Sequence, residues 1–346
     1  MKNRRMCWVF PAFEMKYRAF DPAQLPGYLD CVARCLERMD GGPSMTLPFY
    51  REAYASAKLY SSLGDALKHD LSFVSSCAVA DYLKALGLFP HTMAPYSMGL
   101  YAALYAAECL PFEDGLQLMR FICRTAHEVG PRDGAFGMGV VMGLSEGTLR
   151  SVLKPYEARV YLSDVMAHGI CILSGPRQLL QEVFAQATRR GASHGKFLAV
   201  DLPYHSPLMA AAEERIRPMA SRLIQAAPRW PIISCVTQKT LRTMDEVLEE
   251  VAANVVRPLH WRRTVQTAAQ DVDLFVECGL SEQLCKLILL EIAGSNVVHP
   301  KRFRSHLQEI DQAISVARIP MGCGGHEHSL GPRNLRDDGG KARVFV

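Results

Sequence analysis

The chain has 346 residues, of which 49% are hydrophobic and 21% charged, an ordinary globular balance that is enough for a large core or for two domains. Its net charge of +4 and its pI near 8.5 are mildly basic and compatible with an acidic partner. The basic residues do not cluster into one stripe, so we expect no nucleic-acid binding.

Three features restrict the compartment. No stretch approaches the ~20 apolar residues of a membrane-spanning helix, so we expect no contact with a membrane. The charged segment 1–5 is followed by an apolar run that ends at Glu14 and is too short for a secretory signal. The eleven cysteines show no paired framework, and we therefore expect a reduced, cytoplasmic protein.

The spacing of apolar residues and turn residues predicts alternating strands and helices. In chain order, the predicted elements are a strand at 7–10, a helix at 70–86, a strand at 92–94, helices at 98–110 and 113–128, a strand at 136–143, a helix at 145–156, strands at 158–165 and 169–173, a helix at 176–190, a strand at 196–200, a helix at 207–227, a strand at 274–279 and a helix at 282–292. Ser145 is the expected N-cap of the helix that it precedes.

The order of these elements predicts the domain organisation. Residues 136–200 have the order βαββαβ, which is typical of a ferredoxin-like unit. We predict a small domain at 132–200, inserted into a large α/β domain formed by 1–131 and 201–317. The segment 318–346 is rich in glycine and charge, and we expect a mostly disordered tail there.

The segment TMAPYSMGLYAALYAA at 92–107 raises the first question of chemistry. Ser97 stands between a predicted strand and a predicted helix, and PYSMG occupies the place that G-x-S-x-G has in a nucleophile elbow. Gly99 and the alanines after it allow the helix to pack close to the sheet. The alternative is that Ser97 is the ordinary N-cap of a helix.

A histidine in a second segment favours the elbow. LPYHSPLM at 202–209 places His205 in a loop directly before a predicted helix. A free serine is a weak nucleophile, and a neighbouring imidazole is its usual base. Most histidines have no such role, so His205 is a candidate base only in combination with Ser97.

Together the two segments resemble the malonyl-CoA:acyl-carrier-protein transacylase family, which includes the acyltransferase domains of polyketide synthases. WVFP at 8–11, NVVRPLHW at 254–261 and ECGLSEQL at 277–284 resemble further family segments in the right order. The resemblance covers about residues 7–305. It implies an α/β-hydrolase-like large domain with an inserted ferredoxin-like βαββαβ small domain.

The resemblance also implies roles for five residues. Ser97 would be the nucleophile and His205 its base, while the backbone N–H groups of Met98 and Phe13 would form the oxyanion hole. The backbone carbonyl of Asn254 would orient the imidazole. The loop at 12–16 lacks the glycines and the glutamine that the family has there. The resemblance therefore does not predict the path of this loop.

The expected acyl pocket departs from the family in its charge. Malonyl-transferring members carry an arginine at the position of Ile122, where it pairs with the free carboxylate. Arg120 and Arg124 are each two residues away and therefore face the other side of the helix. We expect Ile122, Tyr96 and Tyr204 to line the pocket and malonyl to be disfavoured; the alternative is that Ile122 is a core residue and the register is shifted.

The sequence thus predicts an acyltransferase of fatty-acid or polyketide synthesis. Acyl-CoA and a phosphopantetheinylated acyl carrier protein are the implied substrates and partners, with no bound cofactor, and we expect a monomer. A thioester hydrolase and a non-catalytic carrier-protein-binding module are the alternatives. Cys323, His326 and His328 can bind zinc, but they lack the context of a structural site, and we expect no metal there.

Overall fold

The computed structural model describes residues 4–13, 20–21, 25, 27–39, 45–131 and 134–299. In these ranges, ten strands form two sheets: β1 Met6–Phe10, β2 Thr92–Pro95, β3 Phe136–Met142, β4 Tyr161–Ala167, β5 Ile170–Pro176, β6 His194–Phe197, β7 Ile232–Ile233, β8 Thr240–Leu241, β9 Leu274–Glu277 and β10 Val297–Val298. Helices surround them: α1 Tyr28–Glu37, α2 Leu47–Ala55, α3 Ala57–Ser62, α4 Asp65–Ala85, α5 Leu100–Ala106, α6 Phe112–Val129, α7 Glu146–Leu153, α8 Arg177–Arg189, α9 Ala211–Leu223, α10 Met244–Asn254, α11 Trp261–Ala269 and α12 Gln283–Glu291.

The larger sheet has the strand order β10-β9-β1-β2-β7-β8, and it is parallel except for the β7–β8 pair. β1 lies in its middle and is buried along its whole length, as a parallel sheet with helices on both faces requires. Trp8 and Phe10 enter the main core, whereas Cys7 and Val9 enter the second core on the other face. This alternation follows from the period of two along a strand.

The smaller sheet is antiparallel and has the order β4-β5-β3-β6. Its four strands and the helices α7 and α8 follow one another as βαββαβ, and this strand order is that of a ferredoxin-like unit. One face packs on α7 and α8, and the other contributes Met138, Val140 and Ile172 to the second core of the large sheet. The predicted fold class is therefore confirmed; the boundaries at 131/132 and 200/201 stay a prediction.

Several predicted elements have other ends in the structure. The helix predicted at 98–110 is a short 3-10 turn followed by α5, and it ends early because Glu108 adopts a left-handed φ of 63°. The strand predicted from 158 begins at Tyr161, since Ala158 has a φ of 62°. The helix predicted at 70–86 begins at Asp65.

Two predicted elements of the second half are also displaced. The strand predicted at 196–200 lies at His194–Phe197, where it pairs with β3. The helix predicted at 207–227 begins with a 3-10 turn at Pro207–Met209 and ends at Leu223. The predicted tail at 318–346 lies outside the described residues.

Within the described ranges, no helix combines the length and the apolar character needed to span a bilayer. The ten cysteines in those ranges are free thiols, and all but Cys123 are buried.

The elbow after β2 lies directly against the end of β1. The Tyr96 N–H donates to the Phe10 carbonyl oxygen over 2.9 Å. A Cβ placed on Gly99 would come within 2.3 Å of that oxygen and 2.6 Å of the Pro11 oxygen. Both neighbours are backbone atoms, which cannot move aside as a flexible side chain does. Glycine is therefore required here for close approach.

We predict that Gly99→Ala destabilises the fold by about 1–3 kcal/mol, because the added methyl group overpacks a rigid contact. Urea unfolding followed by circular dichroism measures this change. Gly147→Ala in α7 is the matched control, since its Cβ would meet nothing within 4 Å and the substitution should be neutral or stabilising. Equal stability changes in the two variants would contradict the predicted contact.

Candidate active site

Ser97 occupies the turn between β2 and α5, and its backbone is left-handed, with a φ of 51°. Such a conformation costs a residue other than glycine about 1–3 kcal/mol and persists only where the surroundings impose it. The buried strand on one side and the close contact at Gly99 on the other supply that constraint. The side chain of Ser97 thereby leaves the sheet toward a neighbouring loop instead of following the strand.

That neighbouring loop carries His205, whose φ of 57° is also left-handed. Its Nε2 lies 2.7 Å from the Oγ of Ser97, a normal hydrogen-bond distance. The His205 N–H donates to the Val255 carbonyl over 2.8 Å, which fixes the loop against the end of α10. The two residues singled out in the sequence, 108 positions apart in the chain, are thus brought together.

The other nitrogen of His205 fixes the tautomer. Nδ1 lies 2.6 Å from the carbonyl oxygen of Asn254, which can only accept a hydrogen bond. Nδ1 therefore carries the proton, and Nε2 is left as the acceptor for the Ser97 hydroxyl. This is the geometry of a serine activated by a neutral imidazole.

Asn254 has a second contact that the sequence did not reveal. Its side-chain Nδ2 donates to the Ser97 carbonyl oxygen over 3.1 Å, so one buried residue holds both the serine backbone and the imidazole ring. The side chain matters here as well as the carbonyl. Because its side chain bonds to Ser97 and its backbone carbonyl bonds to His205, Asn254 couples the elbow to the histidine loop.

The environment of His205 favours its neutral form. Burial lowers the pKa of His205 to about 4, and the hydrogen bond with the Asn254 carbonyl offsets this only in part. No carboxylate contributes to this value. The imidazole is therefore ready to accept a proton at neutral pH.

The small domain also supports the histidine loop. Ser163 on β4 donates to Ser174 on β5 over 2.6 Å, and Ser174 donates to the Tyr204 carbonyl over 2.7 Å. Sequence reasoning missed these serines, because nothing in their local pattern distinguishes them from ordinary strand residues. They connect the antiparallel sheet directly to the residue before His205.

The two residues expected to form an oxyanion hole flank the elbow. Met98 starts the helical turn after Ser97, and Phe13 follows the end of β1; both are half-buried. The Phe13 ring stacks on His69 of α4 at a centroid distance of 4.2 Å. The residues Glu14 to Lys16 of the altered first loop lie outside the described residues. The role of the two N–H groups stays a prediction.

A pocket of about 240 Å³ opens between α4 and α6 and is here called the α4–α6 pocket. Its lining residue His69 is the one that stacks on Phe13. Six of its nine lining residues carry charged or imidazole side chains, although most of its accessible surface is apolar; the nine are Asp65, Ala66, His69, Asp70, Met119, Arg120, Cys123, Arg124 and His127. Burial first, and then the charges of Cys123 and Asp65, raise the pKa of Tyr204, the residue before His205. Through the stack of His69 on Phe13, the pocket is connected to one of the two residues expected to form the oxyanion hole.

The residues expected in the acyl pocket lie in different surroundings. Ile122 is fully buried in the main core, while Arg120 and Arg124 line the α4–α6 pocket. Tyr96 packs edge-on against Trp261 at a centroid distance of 5.6 Å. A pocket role for Ile122, Tyr96 and Tyr204 stays a prediction.

The residues that the structure describes include no group of three or more histidine, cysteine or acidic side chains that could hold a metal ion. Cys323, His326 and His328 lie outside them.

Comparisons with known proteins place this geometry in context. The family described as acyl transferase domain matches residues 72–285, more than half of the chain. The malonyl CoA-acyl carrier protein transacylase of Bacillus subtilis is 26% identical over 199 residues, which cover 56% of this chain and 48% of that relative. The match thus spans about half the length of that curated relative.

Solved structures share the fold at low identity. The malonyl CoA-acyl carrier protein transacylase of Coxiella burnetii superposes with a TM-score of 0.78 at 22% identity, covering 89% of this chain and 98% of its own. A complex of a type II polyketide synthase acyl-carrier protein with its malonyl-transacylase gives a TM-score of 0.78 at 19% identity, covering 89% and 99%. These likenesses concern the architecture.

We predict that His205 stays neutral until the pH falls to about 4, in contrast with the ordinary histidine pKa of 6.5. Nuclear magnetic resonance of ring-labelled histidine measures this, with the signal assigned by its loss in His205→Gln. The same protein unfolded in urea is the control and should titrate near its ordinary value.

This shift has a consequence for stability with a definite sign. Because the folded pKa is lowered, His205 contributes stability above about pH 6.5, and that contribution is lost as the pH falls from 6.5 toward 4. His205→Gln should reduce the acid destabilisation in that window. Titration of the folded protein near pH 6.5 would contradict the buried, neutral imidazole.

Proposed function

The chain belongs to the acyl transferase domain family, and from this premise we propose that it moves an acyl group from a thioester to the thiol of an acyl carrier protein. The donor is an acyl-CoA or an acyl-carrier-protein thioester, and the intermediate is an ester on Ser97. The Bacillus subtilis relative, a malonyl CoA-acyl carrier protein transacylase, supports this class of reaction.

The observation that carries the proposal is the contact of 2.7 Å between Ser97 Oγ and His205 Nε2 on a left-handed elbow. A plain helix N-cap would bond its own backbone and would need no strained conformation. A carrier-binding module without catalysis would need neither a buried imidazole nor its anchored tautomer. The arrangement instead matches a nucleophile, its base and a third group that orients the base.

In the first half-reaction, Ser97 Oγ attacks the thioester carbonyl carbon while its proton passes to His205 Nε2. The imidazolium is stabilised at Nδ1–H by the Asn254 carbonyl. The tetrahedral oxyanion would be held by the N–H groups of Met98 and Phe13. Collapse breaks the carbon–sulfur bond, and His205 returns the proton to the departing thiolate, leaving an acyl-Ser97 ester and a free thiol.

The second half-reaction runs in reverse with another thiol. The carrier-protein thiol gives its proton to His205 Nε2 and attacks the ester carbonyl, and Ser97 Oγ leaves with that proton. One histidine thus serves both steps, and the kinetics should be ping-pong. The complex of a polyketide carrier protein with its malonyl-transacylase supports such a partner, in fatty-acid or polyketide synthesis.

The alternative acceptor is water, and one observation favours it. The lining of the α4–α6 pocket includes charged and imidazole side chains such as Asp70, Arg120 and His69, and these polar groups can bind water. A hydrolase must admit water to the acyl-Ser97 ester, whereas a transferase must exclude it until the thiol arrives. We rank transfer first because the Ser97–His205 pair itself is buried.

We predict that an acyl thioester adds one acyl mass to the protein and that Ser97→Ala abolishes the addition. His205→Ala should slow labelling by about 10²-fold or more if it is the general base. Intact-mass spectrometry over time measures both. Ser151→Ala, at an exposed serine of α7, is the control and should label like the unmodified protein. Full labelling of Ser97→Ala would remove the proposed nucleophile.

A partition experiment separates transfer from hydrolysis. Ser97 is loaded first, and the acyl group is then followed with and without a phosphopantetheinylated carrier protein. We expect the ester to survive for minutes in buffer and to pass to the carrier on its addition. Rapid release of free acid, unchanged by the carrier protein, would make the protein a hydrolase.

A further inference from the structure

Arg120 on α6 and Asp70 on α4 form a bidentate ion pair in the wall of the α4–α6 pocket. Arg120 Nε lies 3.0 Å from Asp70 Oδ1, and Nη2 lies 2.6 Å from Oδ2. Two parallel charge-assisted bonds are the strongest arrangement that a guanidinium makes with a carboxylate. The side chain of Asp70 is only 12% exposed, whereas that of Arg120 is 43% exposed.

Three other residues that line this pocket are engaged elsewhere or lack charge. Burial lowers the pKa of His69 to about 4, so its ring is neutral at pH 7. Arg124 is 66% exposed and lies 3.9 Å from Glu128 in the next turn. Asp65 faces Lys68 over 3.7 Å. Arg120 is thus the cation that a carboxylate holds in the pocket wall, and the Nε–Nη2 edge of its guanidinium is already occupied.

An acyl group that carries its own carboxylate would need such a cation. It would have to displace Asp70 or approach the pair from outside. Displacement leaves a mostly buried carboxylate unpaired, which is strongly unfavourable. Approach from outside brings two carboxylates against one guanidinium, and the repulsion between them cancels much of the attraction.

We propose that Asp70 is a specificity-determining residue: by holding Arg120 in a bidentate pair in the pocket whose His69 stacks on Phe13, it makes this pocket select uncharged acyl groups over carboxylated ones such as malonyl. The inference rests on the proposed acyl transfer. It assigns the selection to a pair on α4 and α6 and not to the buried Ile122 alone.

Asp70→Asn tests the proposal with little change of shape, because the amide oxygen still accepts a bond from Arg120 while the negative charge is gone. The ratio of kcat/KM for loading with malonyl-CoA and with acetyl-CoA should rise about tenfold or more, the usual range for a hydrogen bond to a charged group. Adding Arg120→Gln to Asp70→Asn should return the ratio to its original value. Asp70→Ser should give the same rise and serves if Asp70→Asn does not fold.

The matched control is Asp65→Asn, which removes the same charge from the same pocket without freeing Arg120. Its ratio should stay within about twofold of the unmodified protein, because exposed ion pairs contribute little. An equal rise in Asp65→Asn, or no rise in either Asp70 variant, would overturn the proposal.

Binding separates this inference from the proposed function. In the non-reactive Ser97→Ala background, the Kd of malonyl-CoA relative to acetyl-CoA should fall on adding Asp70→Asn, as measured by calorimetry. If this ratio shifts while Ser97 never becomes acylated, the selection stands and the proposed transfer fails. If acylation proceeds but neither ratio responds to Asp70, the transfer stands and the selection fails.

Discussion

The hydrogen bond from His205 Nδ1 to the carbonyl of Asn254 is the contact on which the rest of the site depends. A carbonyl oxygen accepts a hydrogen bond but cannot donate one, so this bond selects the tautomer with the proton on Nδ1 at pH values near neutrality. A carboxylate in that place would raise the histidine pKa; the uncharged carbonyl leaves burial as the dominant effect. The site thus holds a neutral base against a serine without burying a charge.

Two domains contribute to holding this geometry. Asn254 ends α10, and seven residues later Trp261 begins α11 with its N–H donated to the buried Asp164 of β4 over 3.0 Å. Burial raises the pKa of Asp164 to about 7, mainly because the carboxylate has left water. Ser174 likewise donates to the Tyr204 carbonyl. The antiparallel sheet is therefore hydrogen-bonded both to the residue before His205 and to the start of α11. The inserted domain therefore supports the site through hydrogen bonds to the backbone of Tyr204 and Trp261.

Features with a strong local signal could be predicted from the sequence, and those set by distant pairing could not. The order around Ser97 and the βαββαβ unit followed from apolar spacing and turn residues. The two-residue strand β7 was missed because its existence depends on pairing with β2 at Met93 and Ile232. Helix α10 had a readable signal that was overlooked, the capping box of Thr243 and Glu246. The Asp70–Arg120 pair joins two residues 50 positions apart on different helices, which no local pattern reveals.

Both members of the Ser97–His205 pair have left-handed backbones, and neither is a glycine. Each conformation costs stability, so the surrounding contacts must compensate. They do so from separate directions: Gly99 fits against β1 under the serine, and the Val255 carbonyl accepts the N–H of the histidine. Because Asn254 bonds to both residues, strain released at one would be felt at the other. A substitution that relaxed either turn would remove the local strain and would also move the side chains of Ser97 and His205 apart. The backbone strain and the 2.7 Å contact therefore depend on each other.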